Sequence, residues 1–206
     1  MIKKLARFLF LKVLGDYQTI DGWLTRQEAW GLFITALKVP RSSVIVEIGS
    51  WQGKSTYCLA RGLRSGKIYA IDPFNADAGF DEDSAVNYKE SQGNNNLLDK
   101  FIGNMTRLKV IDKIKPMPGY SYDFADQFIK INFLFIDGDH SIKGCQQDFE
   151  MYAPKVAVGG YIAFHDYYAD RDELGPTYVI KNQVMKSNEF VFYGQYDSLW
   201  IAKKIA

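Results

Sequence analysis

Four short apolar runs, SVIVEIGS, KIYAID, INFLFIDGD and GGYIAFHD, each end at or next to a Gly or an Asp, and helix-like segments lie between them. Runs of this length, nearly continuously apolar rather than alternating, are what strands buried on both faces of a sheet require. Strand and helix in alternation then imply a parallel sheet with helices on both sides, an α/β doubly wound fold. IKPMPG adds a further strand, and EFVFYG with SLWIAK closes the chain as an antiparallel hairpin. Helical spacing is read in TRQEAWGLFITAL, in STYCLARGL and across residues 97–108, 142–152 and 179–185. Thr25 and Glu28 have capping-box spacing, and Pro40 ends that first helix. The organisation expected is an N-terminal helical extension, residues 1–39, followed by a single ligand-binding domain, residues 40–206.

Charge and cysteine content narrow the function classes. With 25 Lys+Arg against 24 Asp+Glu the chain is almost neutral, which disfavours a nucleic-acid partner. Cys58 and Cys145 form no CxxC pair and have no histidine cluster around them, so they read as reduced core thiols of a cytoplasmic protein. Lys3, Lys4 and Arg7 before the apolar run at 8–11 have the charge order of a signal peptide, but Lys12 interrupts the run and no small-residue cleavage site follows. Ile2, Leu5, Leu9 and Val13 recur at helical spacing, and this helix is expected to pack within the molecule or against a second copy in a homo-oligomer. Peripheral contact with a membrane surface is the alternative.

The strand-to-helix turn VEIGSWQGKST is the first candidate binding site, because glycines there let backbone N–H groups approach a bound anion. Three ligands compete. A phosphate-wrapping loop needs GxxxxGK[ST], whereas Gly49 and Gly53 enclose only three residues before Lys54 and Ser55. A dinucleotide site needs a second Gly where Trp51 stands. The third ligand is S-adenosylmethionine, its carboxylate over the helix N-terminus. Asp72, ending the next strand, can accept ribose hydroxyls, or else caps its own turn. Glu47, just before the turn, would repel a phosphate but suits the methionine ammonium; its structural reading is a carboxylate accepting nearby N–H groups.

These segments in their order, VEIGSWQGKST, IYAIDPF, FLFIDGDHSIKGCQQDF and GGYIAFHDY, resemble the class I S-adenosylmethionine-dependent methyltransferases of the methyltransferase domain 24 family, over roughly residues 25–203. The resemblance implies a Rossmann-like, seven-stranded sheet with an antiparallel C-terminal hairpin. It implies O-methylation of a hydroxyl on a small molecule or sugar. It places the cofactor's amino acid end near Glu47, Gly49, Ser50 and Gly53, its ribose on Asp72, and its adenine near Gly119, Tyr120 and Ser121, and Asp137 is counted among the cofactor-binding residues. Many relatives carry an acid where this chain has Tyr120, so the adenine amino group loses that partner; Tyr120 either stacks instead or is an ordinary half-buried aromatic after the strand.

Asp137 and Asp139 in IDGDH, and His165 with Asp166 in FHDY, end two strands expected to be neighbours. Carboxylates collected at one sheet edge repel one another unless a shared proton or a cation compensates them. In metal-dependent relatives the positions of Asp137, His165 and Asp166 lie at a divalent cation, with acids where this chain has His165. Mg²⁺ suits oxygen ligands, and a histidine moves the preference toward Mn²⁺ or Zn²⁺. Methyl transfer also needs a base: His140 is the first candidate, with Asp139 and His165 as alternatives. Two other functions stay open at this stage. One is a cofactor-binding subunit without catalysis, the other a P-loop-like NTPase in which FLFID supplies the Mg²⁺-binding Asp. Acceptor specificity is expected from residues 74–96 and 167–177.

Overall fold

The apolar runs become strands because β-branched and aromatic side chains fill both faces of a covered sheet. The structure is a computed structural model and describes residues 13–76, 89 and 96–206. Five strands run parallel: β1 (Ser43–Ile48), β2 (Gly66–Asp72), β3 (Ile114–Pro118), β4 (Ile131–Ile136) and β5 (Val156–Phe164). β6 (Phe190–Tyr196) and β7 (Leu199–Lys204) form the antiparallel hairpin, with β7 paired to β5. The seven-stranded order is β3-β2-β1-β4-β5-β7-β6. Chain direction of travel reverses between β1 and β4, which opens a crevice at the C-terminal ends of those two strands.

The helices are α1 (Arg26–Lys38), α2 (Lys54–Gly62), α3 (Leu97–Arg107), α4 (Ser121–Phe124), α5 (Ile142–Tyr152) and α6 (Gly175–Val179), the last continuing as a π-helical turn, Ile180–Val184. Thr25 and Glu28 form both hydrogen bonds of the capping box that starts α1. The sheet separates two apolar cores. Ile45, Phe133, Phe135 and Ala163 face the layer of α1, α2 and α3; Val46, Leu134, Ile162 and Phe164 face the layer of α5 and α6. Strand alternation therefore explains why β1 and β4 carry no polar face.

The expected boundary at residue 39 does not separate two cores. Ala29, Leu32, Phe33 and Ala36 of α1 belong to the same cluster as Ile45 and Leu59. A Cβ at Gly62 would overlap the Phe33 carbonyl, so α1 and α2 pack backbone against backbone at this point. Ile2, Leu5 and Leu9 lie outside the described residues, as does most of segment 75–96. Among the described residues no helix is long and apolar enough to cross a membrane.

Where the crevice opens, β1 and β4 approach so closely that a Cβ on Gly49 would overlap the Asp137 carbonyl, and Gly49 has φ +86°. The Asp137 amide donates to the Ile48 carbonyl at 2.8 Å and the Gly49 amide to Ile71 at 2.9 Å, which locks three strand ends together. Gly49→Ala should therefore lower unfolding free energy by about 2–4 kcal/mol, through overlap plus left-handed strain. Urea denaturation measures it; a loss within about 0.5 kcal/mol would show that the strand ends separate freely.

Candidate functional site

Five consecutive residues between β1 and α2 build the turn. Gly49 and Gly53 take positive φ, and so does Trp51 at +47°. The Asp72 carboxylate, at the end of β2, holds this conformation: Oδ2 accepts the amides of Ser50 at 2.9 Å and Trp51 at 2.8 Å, and Oδ1 that of Phe74 at 2.6 Å. Burial pushes the Asp72 carboxyl up, while those three backbone donors pull the other way. Asp72 thus caps the turn, and it also lines the cleft beside Gly49, Ser50 and Trp51.

Glu47 and Gly53 lie elsewhere. Glu47 is fully buried behind the turn and does not line the cleft. Its Oε2 accepts from Ser50 Oγ at 3.1 Å and from Thr56 Oγ1, and its buried Oε1 has no hydrogen-bond partner among the described residues. Gly53 is the residue before α2, and a Cβ there would come within 2.6 Å of Met105 Cε. A side chain there would displace Met105 and crowd the Phe101 ring of α3, and φ +92° favours glycine in any case. Lys54, the lysine of the near P-loop, donates to the Gly22 carbonyl at 2.7 Å and lies over the Tyr17 ring.

The cleft has a volume of about 1170 Å³ and follows the C-terminal ends of β1 to β5. At one end stand Gly119, Tyr120, Ser121 and Tyr122; the Tyr120 ring stacks on Tyr122 with centroids 5.2 Å apart and planes 6° apart. At the other end stand Asp137, Asp139, His140, His165 and Asp166, with Trp23 and Tyr168 at the rim. Ser141 caps α5 by accepting from Gly144 N, and Asp139 Oδ1 accepts from Ser141 N at 2.8 Å. A Cβ on Gly144 would overlap the Asp139 carboxyl, so α5 begins where that side chain lies flat against it.

His165 is only 5% exposed. Its Nδ1 is 3.2 Å from Asp137 Oδ1 and 3.1 Å from Asp166 Oδ2, and its Nε2 is 3.2 Å from Glu28 Oε2. Burial would drive this imidazole neutral, but the three carboxylates outweigh it and raise its pKa well above the ordinary value. Glu28 answers in kind: burial opposes ionisation, yet His165, then Thr25 and Ser198 as donors, bring it down to about 2. Ser198, in the β6–β7 turn, donates to Glu28 Oε1 through both its amide and hydroxyl. His140 Nε2 is 3.5 Å from the same Asp137 and Asp166 oxygens that contact His165. Asp166 adopts φ +55°, a strained value for a non-glycine, which aims its carboxylate into this group.

The sequence reading gathered Asp137, His165 and Asp166 and set His140 apart as a base; the structure brings all four together. It missed Glu28, whose capping-box spacing signalled only its backbone role. It also missed Asp148 on α5, which is 4% exposed and lines the cleft.

Burial raises the Glu47 carboxyl from 4.5 to about 7, against the pull of its hydroxyl neighbours. The folded state then binds the proton more tightly than the unfolded chain, so Glu47 subtracts stability as pH rises from about 4.5 to 7. Glu47→Gln should become more favourable relative to wild type by about 2–3 kcal/mol between pH 5 and pH 8. Urea denaturation at both pH values reads this; a constant difference would mean that Glu47 ionises at its ordinary pH.

A family model described as a methyltransferase domain matches residues 46–167. Uncharacterized protein R132 of Acanthamoeba polyphaga mimivirus is 32% identical over 122 residues, which are 59% of this chain and 50% of that protein. The chain thus spans about half the length of this curated relative. Among solved structures, the O-methyltransferase NovP superposes with TM-score 0.71 at 16% identity, covering 98% of this chain and 99% of NovP. The O-methyltransferase from Bacillus cereus, solved in complex with SAH, gives TM-score 0.62 at 18% identity over 96% of this chain and 89% of that one.

Proposed function

The chain belongs to the methyltransferase-domain family of class I, S-adenosylmethionine-dependent enzymes, and from that premise we propose that it methylates a hydroxyl of a small molecule or sugar. The observation carrying this reading is one continuous cleft with turn and strand-end polar groups at one end and an imidazole–carboxylate cluster at the other. The acidic wall suits a sulfonium cation, and the aromatic rim of Trp23 and Tyr168 suits an organic acceptor. Gly49 and Ser50 would receive the amino acid end, Asp72 the ribose, and Gly119, Tyr120 and Ser121 the adenine. Glu47 and Gly53 shape the turn from behind. NovP and the Bacillus cereus protein, both O-methyltransferases by description, support oxygen as the accepting atom.

In the transfer, the acceptor oxygen forms a bond to the methyl carbon while the carbon–sulfur bond breaks and its electron pair stays on sulfur. The protein aligns these atoms and removes the hydroxyl proton. We assign that proton to His140, because Asp137 and Asp166, each 3.5 Å from its Nε2, stabilise the imidazolium that results.

A second reading is a divalent cation at the same cluster. Asp137, His140 and Asp166 offer ligand atoms within 4.8 Å of one another, and Nδ1 of His165 contacts two of them. Glu28 on Nε2 would then orient His165 from outside. Two nitrogen donors favour Mn²⁺ or Zn²⁺ over Mg²⁺. A bound cation would act as a Lewis acid on the acceptor hydroxyl.

Calorimetric titration of the full chain should show one-to-one binding of S-adenosylmethionine and none of ATP, unchanged in Lys54→Ala. ATP binding that disappears in Lys54→Ala would overturn the methyltransferase reading. Metal analysis of the purified protein separates the two catalytic readings. A stoichiometric transition metal that is lost in both His140→Ala and His165→Ala supports the cation. Metal-free protein whose activity survives chelation but falls about 10²–10⁴-fold in His140→Gln supports the base.

A further inference from the structure

The methyltransferase reading leaves one buried acid without a task. Asp148 lies on the face of α5 that closes the floor of the cleft below Gly138 and Ser121. Its Oδ1 accepts a hydrogen bond from Ser121 Oγ. Its Oδ2 has no hydrogen-bond partner among the described residues, and no cation faces it. The electrostatic neighbours are Asp139, Cys145 and Tyr152, so nothing positive compensates the carboxylate. Burial pushes it up to about 7, with the Ser121 hydroxyl pulling down and Asp139 adding to the rise. An acid held this way costs folding free energy unless a donor reaches its second oxygen.

The local geometry leaves room for such a donor. Gly138, the residue after Asp137, lacks the side chain that would cover Asp148: a Cβ there would stand 3.4 Å from Asp148 Oδ2 and 3.1 Å from Ile48 Cγ2. Ser121 is fixed from the other side as well, since the Tyr152 hydroxyl donates to its carbonyl at 2.6 Å. The open oxygen therefore sits between Gly138 and the end of the cleft where Gly119, Tyr120 and Ser121 stand, on the Ser121 side of the imidazole cluster. A planar group lying between the Ser121 turn and Gly138 would bring its edge to Oδ2.

We propose that Asp148 reads the 6-amino group of the cofactor's purine, accepting a hydrogen bond on Oδ2 while Ser121 holds Oδ1. This rests on the methyltransferase reading and adds the residue that distinguishes an adenine from a 6-oxopurine. The carboxylate absent at Tyr120 is thereby supplied from α5 rather than from the turn after β3. A site built around a buried acceptor rejects an analogue that presents another acceptor to it.

The test is calorimetric binding of S-adenosylhomocysteine and its 6-oxo analogue, S-inosylhomocysteine, to wild type, Asp148→Asn and Ser121→Ala. At about pH 9, where Asp148 is ionised, wild type should prefer the amino compound by at least about tenfold, since one buried hydrogen bond is replaced by two facing acceptors. Asp148→Asn, whose amide can donate, should erase or invert that preference. Ser121→Ala should keep the preference and weaken binding only several-fold. Wild type binding both compounds equally would overturn the assignment whether or not the variants fold, as would an Asp148→Asn protein that keeps the wild-type preference. Wild type binding neither compound would instead sink the cofactor reading itself.

Discussion

His165 sits where three carboxylates from three different parts of the chain meet, and their mutual repulsion would separate those parts if nothing positive stood between them. Glu28 comes from α1, Asp137 from the end of β4, and Asp166 from the end of β5, and each approaches a ring nitrogen at 3.1–3.2 Å. The parallel sheet makes this concentration unavoidable, because every strand of a parallel sheet ends at the same edge. Charge compensation there is therefore a condition of the fold as well as of any chemistry. Ser198 ties the β6–β7 turn into the same group through Glu28, so the helix before the sheet and the hairpin after it are fixed to the site by one side chain.

Around this centre, acids that look alike in the sequence have been given different tasks by their surroundings. Asp72 spends its oxygens on backbone amides and sets the shape of the turn. Glu47 is sealed behind that turn among hydroxyls, where a proton is cheaper than a charge. Glu28 is equally buried by solvent exposure but ionised, because an imidazole rather than a hydroxyl faces it. Burial alone does not decide ionisation; the sign of the nearest partner does.

The sheet, its closing hairpin and the cleft's location were legible in the sequence, because strand burial and strand-to-helix alternation are local patterns. Gly49 was legible too, although its reason is different from the one spacing suggests. The glycine admits the Asp137 carbonyl of a neighbouring strand as well as any ligand. Gly53 and Glu47 show the limit of such reasoning, since both face the interior of the turn and the side a residue faces depends on the packing of α2 and α3. Glu28 was read correctly as a capping residue and incompletely as anything else. One of its oxygens does accept the Thr25 amide at 2.7 Å, and only the return of β5 and β7 brings His165 and Ser198 to it. Contacts between residues 137 to 170 positions apart leave no trace in periodicity.

The two ends of the cleft solve opposite versions of one electrostatic problem. At the imidazole cluster the chain supplies its own positive groups, so the carboxylates there are paired before any ligand arrives. Toward Ser121 the chain supplies none, and Asp148 keeps an oxygen open over a floor cleared by Gly138. A paired cluster can stay charged while substrates come and go, which a reacting centre needs. An unpaired acid gains most from a ligand that brings the missing donor, which a recognising centre needs. The same residue type thus serves reaction at one end and selection at the other, and the difference is set by whether a histidine or a glycine stands opposite.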